Sequence, residues 1–405
     1  MFAPGDLPRR ILASGLLLLL TLAGRGAAEP SPPACVSGPA PAATLLVPYF
    51  EVDLSGADRA TTLIAVTNAG DHATLAHVVL WTDWGVPTLA FDLVLAGNDV
   101  QTMNLRDLFA GNLPATGGAA FPGCTDPVTL PDLDAAALSA LRRQHTGQPD
   151  VLNHCSGSGR GGADKALGYV TIDVTRRCSP TIRYPSSNGY FEAGGSGTGV
   201  ASDENLLLGD FFIVDAEQNL AAGNEAVSIV ADASRFEGEP ATFYGGWIGH
   251  SGDDARAPLG TRYRARFLHG GAFSGGTDLV VWAEPGLATA AGVACGERST
   301  AVDPCQFIRL TTVDEDASSG EWTEITPATE VVTRIPVGGP QLPVATLFGV
   351  VDVENRVVPL CNIPIDPPPL QEFPLQSFVL PLHSAADRFA VGFNAARIAE
   401  ELCPP

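Results

Sequence analysis

Gly168-Tyr-Val-Thr-Ile-Asp-Val174 decides the fold class. Val170, Ile172 and Val174 face one way and Thr171 and Asp173 the other, the period of two that belongs to a strand. The alternation recurs in Leu89-Ala-Phe-Asp-Leu-Val-Leu95, where Leu89, Phe91, Leu93 and Leu95 share a face. In Thr261-Arg-Tyr-Arg-Ala-Arg-Phe267, Tyr263, Ala265 and Phe267 oppose three arginines. Gly, Pro, Asp and Asn turns separate such runs. Half-buried strands of this kind pair antiparallel and pack as sandwiches, so the chain reads as all-β. The clearest helical signal lies at Asp132–His145, where Leu133, Leu138 and Leu141 recur near helical spacing after Pro131.

Working outward, residues 44–109 form a legible meander. Strands are expected at Thr44–Val52, Thr61–Thr67, Ala76–Trp84, Leu89–Leu95 and Asp99–Leu105, at the spacing of an immunoglobulin-like sandwich. A fainter echo follows at Asp278–Val337, with runs at Asp278–Glu284, Phe307–Val313, Glu321–Ile325 and Glu330–Pro336. The expected organisation is a signal peptide at 1–28 and an immunoglobulin-like β-sandwich at 29–115. A loop-rich β region with one short helix follows at 116–275, then a second β-sandwich at 276–405. Gly and Ser dominate 156–162 and 194–199, and long irregular loops of this kind often carry function.

The N-terminus has the three parts of an export signal. Arg9 and Arg10 are the positive region, Ile11–Leu22 the apolar one, and Gly26-Ala27-Ala28 the cleavage site. Arg9-Arg10-Ile11-Leu12 is also a partial twin-arginine pattern. The apolar run is too short to span a bilayer, so a secreted, periplasmic or cell-surface protein is expected. Cleavage would remove three arginines and one aspartate and move the formal net charge from −22 to −24. Such a balance repels phosphate backbones, which argues against nucleic acid as a partner. All eight cysteines lie beyond the signal, and an even count in an oxidising compartment favours disulfides. Cys295–Cys305 and Cys361–Cys403 are the preferred pairs, with Cys35, Cys124, Cys155 and Cys178 left open.

Several phrases carry a resemblance. Thr62-Leu-Ile-Ala-Val-Thr-Asn68, Trp81-Thr-Asp-Trp-Gly-Val-Pro87 and Asp99-Val-Gln-Thr-Met-Asn-Leu-Arg-Asp-Leu-Phe109 are three of them. Phe243-Tyr-Gly-Gly-Trp247 and the stretch Phe267–Trp282 extend it. Together, over about residues 44–284, they resemble a group of exported bacterial β-sandwich proteins without an assigned activity. The resemblance implies the fold and export, and no cofactor or site residue.

Catalytic and metal motifs fail in their contexts. Gly157-Ser-Gly-Arg-Gly-Gly162 matches G-x-G-x-x-G but precedes a strand, whereas a dinucleotide needs a helix N-terminus there. In Gly249-His-Ser-Gly-Asp253 an aspartate stands where a nucleophile elbow needs glycine. Cys124, His154, Cys155 and Cys178 are zinc-type ligands that disulfides explain equally. Val313–Gly320 is acidic but misses the EF-hand register, and reads as a hairpin tip. Arg262, Arg264 and Arg266 on one strand face suit an anion, although cross-strand pairing with the surplus acids is preferred. Asp83, between Trp81 and Trp84, reads as an edge or loop feature. No cofactor or metal is expected.

The candidate ligand-binding residues are Tyr184, Tyr190, Tyr244, Trp247, Asp253 and Asp254. These rings, with Phe191, lie near glycine-rich loops, where exposed aromatics stack on sugars and acids bond the hydroxyls; core packing is the competing role for the rings. The expected function is a non-catalytic exported or cell-surface binding or structural protein, with a glycan or surface protein as partner. A secreted hydrolase acting on glycans through paired carboxylates is the alternative.

Overall fold

The structure is a computed structural model. It describes residues 40–191, 199–217, 220–232, 241–248, 254–271, 273–285, 293–295, 305–314, 322–358, 372–385, 389–392 and 395–397. The expected signal segment and Cys35, Cys361 and Cys403 lie outside these residues.

The described residues are built from antiparallel sheets, with short helices at Leu105–Phe109, Ala135–His145 and Gly245–Ile248. A central five-stranded sheet has the order Val227–Ile229, Thr44–Asp53, Lys165–Thr175, Thr74–Thr82, Pro87–Leu95. A four-stranded sheet, Val100–Asn104, Thr61–Asn68, Leu207–Asp215, Leu220–Glu225, covers one face of it. The strand Gly276–Ala283 packs against Thr44–Asp53 and belongs to a second four-stranded sheet. That sheet runs Val332–Pro336, Gly276–Ala283, Ser377–Ala385, Phe389–Gly392. The last large sheet, ordered Trp322–Pro327, Gln306–Asp314, Phe348–Val357, Arg262–Leu268, Ala396–Arg397, packs on it in turn.

The expected strands are present within a residue or two of their predicted bounds, because alternation and turn residues are local signals. Pairing is not local. Lys165–Thr175 inserts between Thr44–Asp53 and Thr74–Thr82, and Arg262–Leu268 joins Phe348–Val357. The sheets therefore cross the boundaries expected at 115 and 275. The all-β antiparallel class is as expected; the strand order departs from a simple immunoglobulin-like meander.

Local chemistry explains the details. Pro48 has no N–H to give the ladder, and the register of Thr44–Asp53 shifts between Val47 and Phe50. The predicted helix begins at Ala135, with Asp134 as N-cap accepting from the Ala137 N–H at 2.7 Å. Its Leu141 is buried, and Leu133 and Leu138 pack against the core. In Arg262–Leu268, Tyr263, Ala265 and Phe267 are buried while Arg264 and Arg266 are exposed, as the alternation requires.

Lys165–Thr175 departs from its alternation in one respect: Thr171 and Asp173 are as buried as Val170 and Ile172. Their face meets a second layer instead of water. Thr171 accepts from the Trp81 indole at 2.9 Å, and Tyr169 packs edge-on to Trp282 at 6.2 Å. Asp173 accepts hydrogen bonds from the hydroxyls of Thr44, Tyr190 and Tyr244. Its counter-charge is Arg256, whose side chain is wholly buried. Arg256 Nε donates to the Thr44 hydroxyl and Nη2 to the Ser202 carbonyl at 3.0 Å. Nη1 lies 3.4 Å from Asp254, and the guanidinium sits 5.2 Å from the Phe191 ring centre. Two buried acids thus share one buried arginine.

Truncating that arginine leaves both carboxylates uncompensated in a dry interior. Arg256→Ala should cost about 3–5 kcal/mol, read by equilibrium urea unfolding; a loss under about 1 kcal/mol would contradict this account.

Two disulfides are described, Cys124–Cys178 and Cys155–Cys295. Cys295 therefore does not bond Cys305, correcting the preferred pair. The two-residue ladder of His154–Cys155 with Val293–Ala294 brings Cys155 beside Cys295, across 140 residues of sequence. Cys305 is also disulfide-bonded. Peptide mapping without reduction should recover the Cys124–Cys178 and Cys155–Cys295 peptides; a Cys295–Cys305 peptide would refute the pairing.

Candidate functional site

The candidate binding cleft lies at the opposite end of Thr44–Asp53 and Lys165–Thr175 from the Asp173–Arg256 cluster. Past its bulge the first strand carries Tyr49 and Glu51, and the second opens with Lys165, the only lysine in the chain. Gly276–Ala283 contributes Asp278, and Val332–Pro336 contributes Arg334. These five residues line two adjoining cavities of about 370 and 290 Å³.

The charges interlock. Lys165 Nζ donates to Glu51 Oε1 at 2.6 Å, and the Tyr49 hydroxyl donates to Glu51 Oε2 at 2.8 Å. Arg334 Nη1 reaches Glu51 at 3.5 Å, while Nε donates to Asp278 at 2.8 Å. Burial pushes the Glu51 carboxyl up, but Lys165, Tyr49 and Arg334 together outweigh it and hold it below the usual carboxylate range. Glu51 is thus a fixed negative charge that positions two cations.

Asp83 lines the larger cavity beside Arg160 and Gly161. Its carboxylate accepts from the backbone N–H and hydroxyl of Ser158, and its carbonyl accepts from Val331 N at 2.9 Å. Burial pushes the Asp83 carboxyl up to about 7; the Ser158 hydrogen bonds oppose the rise and the nearby Glu330 charge adds to it. Arg160 pairs with buried Glu330 at 2.7 Å. The loop Gly157–Gly162 therefore wraps the cleft. Gly157 is required there, since a Cβ would stand 2.7 Å from the Gln144 carbonyl and 3.0 Å from Asp83.

The residues expected to bind a ligand are placed elsewhere. Tyr190 and Tyr244 are fully buried with hydroxyls on Asp173, so they present no stacking face. Tyr184 is half-buried and packs 6.5 Å from Trp81. Asp254 is buried and accepts from the N–H groups of Tyr244 and Arg256. Asp253, Ser251 and the Trp247 side chain lie outside the described residues, as do 315–320 of the acidic turn. Tyr190 and Tyr244 supply core packing and Asp254 a structural charge, because the segments 241–248 and 254–259 fold onto the central sheet.

Other expectations resolve simply. Arg264 grips Asp352 with Nε and Nη2 at 2.6 and 2.7 Å, and Arg262 bonds Asp352 and Glu354. That is the cross-strand pairing of surplus acids. Cys124 and Cys178 bond each other and Cys155 bonds Cys295, so these sulfurs offer no thiolates to a metal. Two of the three buried histidines, His77 and His145, use both ring nitrogens, and the third, His383, meets the Thr277 hydroxyl through Nδ1 at 2.8 Å. His77 meets Asp92 at 2.6 Å and the Arg183 carbonyl at 2.8 Å; His145 meets Thr88 at 2.8 Å and the Leu167 carbonyl at 2.9 Å. Neither is free to act as a base.

Sequence reasoning missed the cleft because its charges come from four strands and a loop far apart in the chain. Two signals were available: Lys165 is the lone lysine, and Asp83 is an acid inside a strongly apolar run. No family model, curated protein or solved structure matches the chain.

The raised Asp83 pKa has a definite sign. Between about pH 4 and 7 the folded state keeps a proton that the unfolded chain has released, so rising pH favours unfolding across that window. Asp83→Asn should remove this penalty. Its melting temperature relative to wild type should rise progressively from pH 4.5 to pH 8; a difference independent of pH would refute the assignment.

Proposed function

We propose that the chain is an exported, non-catalytic binding protein that holds a glycan in the cleft of Glu51, Lys165, Asp278 and Arg334. One observation carries the reading: the chain's only lysine and two arginines meet paired carboxylates around a cavity of about 370 Å³. That volume falls within the range of small-ligand sites. Sugar hydroxyls each donate and accept, and here ammonium and guanidinium donors stand beside carboxylate acceptors along a wall of Leu167, Val332 and Pro336. Export is supported by the signal-like N-terminus and by disulfides, which persist in oxidising compartments. Among the described residues no helix is long and apolar enough to cross a membrane.

A hydrolytic reading draws on the fact that Glu51 and Asp83 line one cavity with pKa values pushed in opposite directions, as in acid–base pairs. Against it, both Asp83 oxygens are committed to Ser158, and Glu51 is neutralised by two cations and a tyrosine. Binding is the better-supported role.

A glycan array with wild type and the Lys165→Gln/Arg334→Gln double variant tests it. Wild type should bind at least one glycan class, with at least tenfold loss in the variant, compared at a temperature where circular dichroism shows both folded. Equal binding by the variant would sink the cleft, and release of new reducing ends by wild type would install the hydrolase.

A further inference from the structure

The cleft is sorted by sign and depth. The Lys165, Arg334 and Arg160 side chains are 39, 47 and 48% exposed. The carboxylates that pair with them are recessed: Glu51, Asp278 and Glu330 are 10, 19 and 6% exposed. A ligand entering therefore meets cations first, with acids beneath them.

Donor capacity remains unused at that surface. Among the described residues Lys165 Nζ makes one hydrogen bond, to Glu51, and an ammonium has three protons. Arg160 spends Nε on Glu330 and Nη2 on Thr329, leaving Nη1 without a hydrogen bond among the described residues. Arg334 spends Nε and Nη2 on Asp278, and its Nη1 contact with Glu51 is long at 3.5 Å. Recessed carboxylates fix the cations in place without occupying their outward N–H groups, so little side-chain ordering remains to oppose binding. The chain as a whole carries 45 acidic residues against 23 basic ones. Its net charge repels anions at a distance, so recognition of an anion here depends on short, charge-assisted hydrogen bonds.

We propose that the cleft selects carboxylate-bearing sugars, a hexuronic acid residue seating its carboxylate on Lys165, Arg334 and Arg160. The ring lies along Leu167, Val332 and Pro336, and its hydroxyls reach Asp278. This rests on the glycan-binding reading above and adds the charge of the ligand.

Isothermal titration with oligogalacturonate and with its fully methyl-esterified form isolates the charge, since esterification keeps the ring and removes only the anion. The acid should bind at least tenfold more tightly than the ester, weaken as ionic strength rises, and lose that preference in Lys165→Gln and Arg160→Gln. Acetate and inorganic phosphate serve as bare-anion arms; binding of either as tight as the oligomer would overturn the sugar in favour of a simple anion site. Equal binding of acid and ester, lost together in the double variant Lys165→Gln/Arg334→Gln, would overturn the carboxylate preference while leaving a neutral-glycan cleft. No binding of either form would overturn the inference, with the array result deciding the cleft by itself.

Discussion

The buried pairing of Asp173 with Arg256 is the constraint on which the layered structure turns. Neither charge can enter an apolar interior alone, since each would forfeit its hydration. Together, with three hydroxyls on the aspartate, they allow the central sheet to be covered on its polar face. Arg256 belongs to a segment remote in sequence, so satisfying Asp173 fastens 254–259 onto Thr44–Asp53 and Lys165–Thr175. Tyr190, Tyr244 and Phe191 then close around the guanidinium. Apolar residues would fill the same volume at less electrostatic cost. What the ion pair adds is a requirement for one particular docking of that segment.

The same two strands carry a second polar assembly about seven residues away, roughly 20 Å along the strand direction. There the environment reverses. At the Asp173 end the acid and its arginine are both fully enclosed; at the Glu51 end the acids are covered and the cations exposed. The bulge at Pro48 separates the two, shifting the register before Glu51. One antiparallel pair thus presents a closed structural network and an open cleft, and only the open one has its cations at the surface.

Rigid support surrounds that cleft. Asp278 and Arg334 come from neighbouring strands, and the Asp83 carbonyl ties the Val331–Val332 backbone to the turn after Thr74–Thr82. The Gly157–Gly162 loop is fastened through Ser158 to Asp83 and through the nearby Cys155–Cys295 bond. Charged groups held this way need little reorganisation on meeting a ligand.

The sequence by itself determined the antiparallel all-β class, the single longer helix and the strands from Thr44 to Asn104, while Leu207–Asp215, Phe348–Val357 and Ser377–Ala385 were not legible in it. What was legible follows from period-two alternation and turn residues. Only the tertiary structure decided which strands are neighbours, because register between distant segments leaves no local trace. It also decided that Thr171 and Asp173 face a buried layer, since alternation marks two faces without saying what covers the second. Tyr190 and Tyr244 look alike as core or as platform in sequence; their hydroxyls on Asp173 settle them as core. Glu51, Lys165, Asp278 and Arg334 are scattered charges in the sequence until two sheets bring them together, and proximity of charges is a property of the fold.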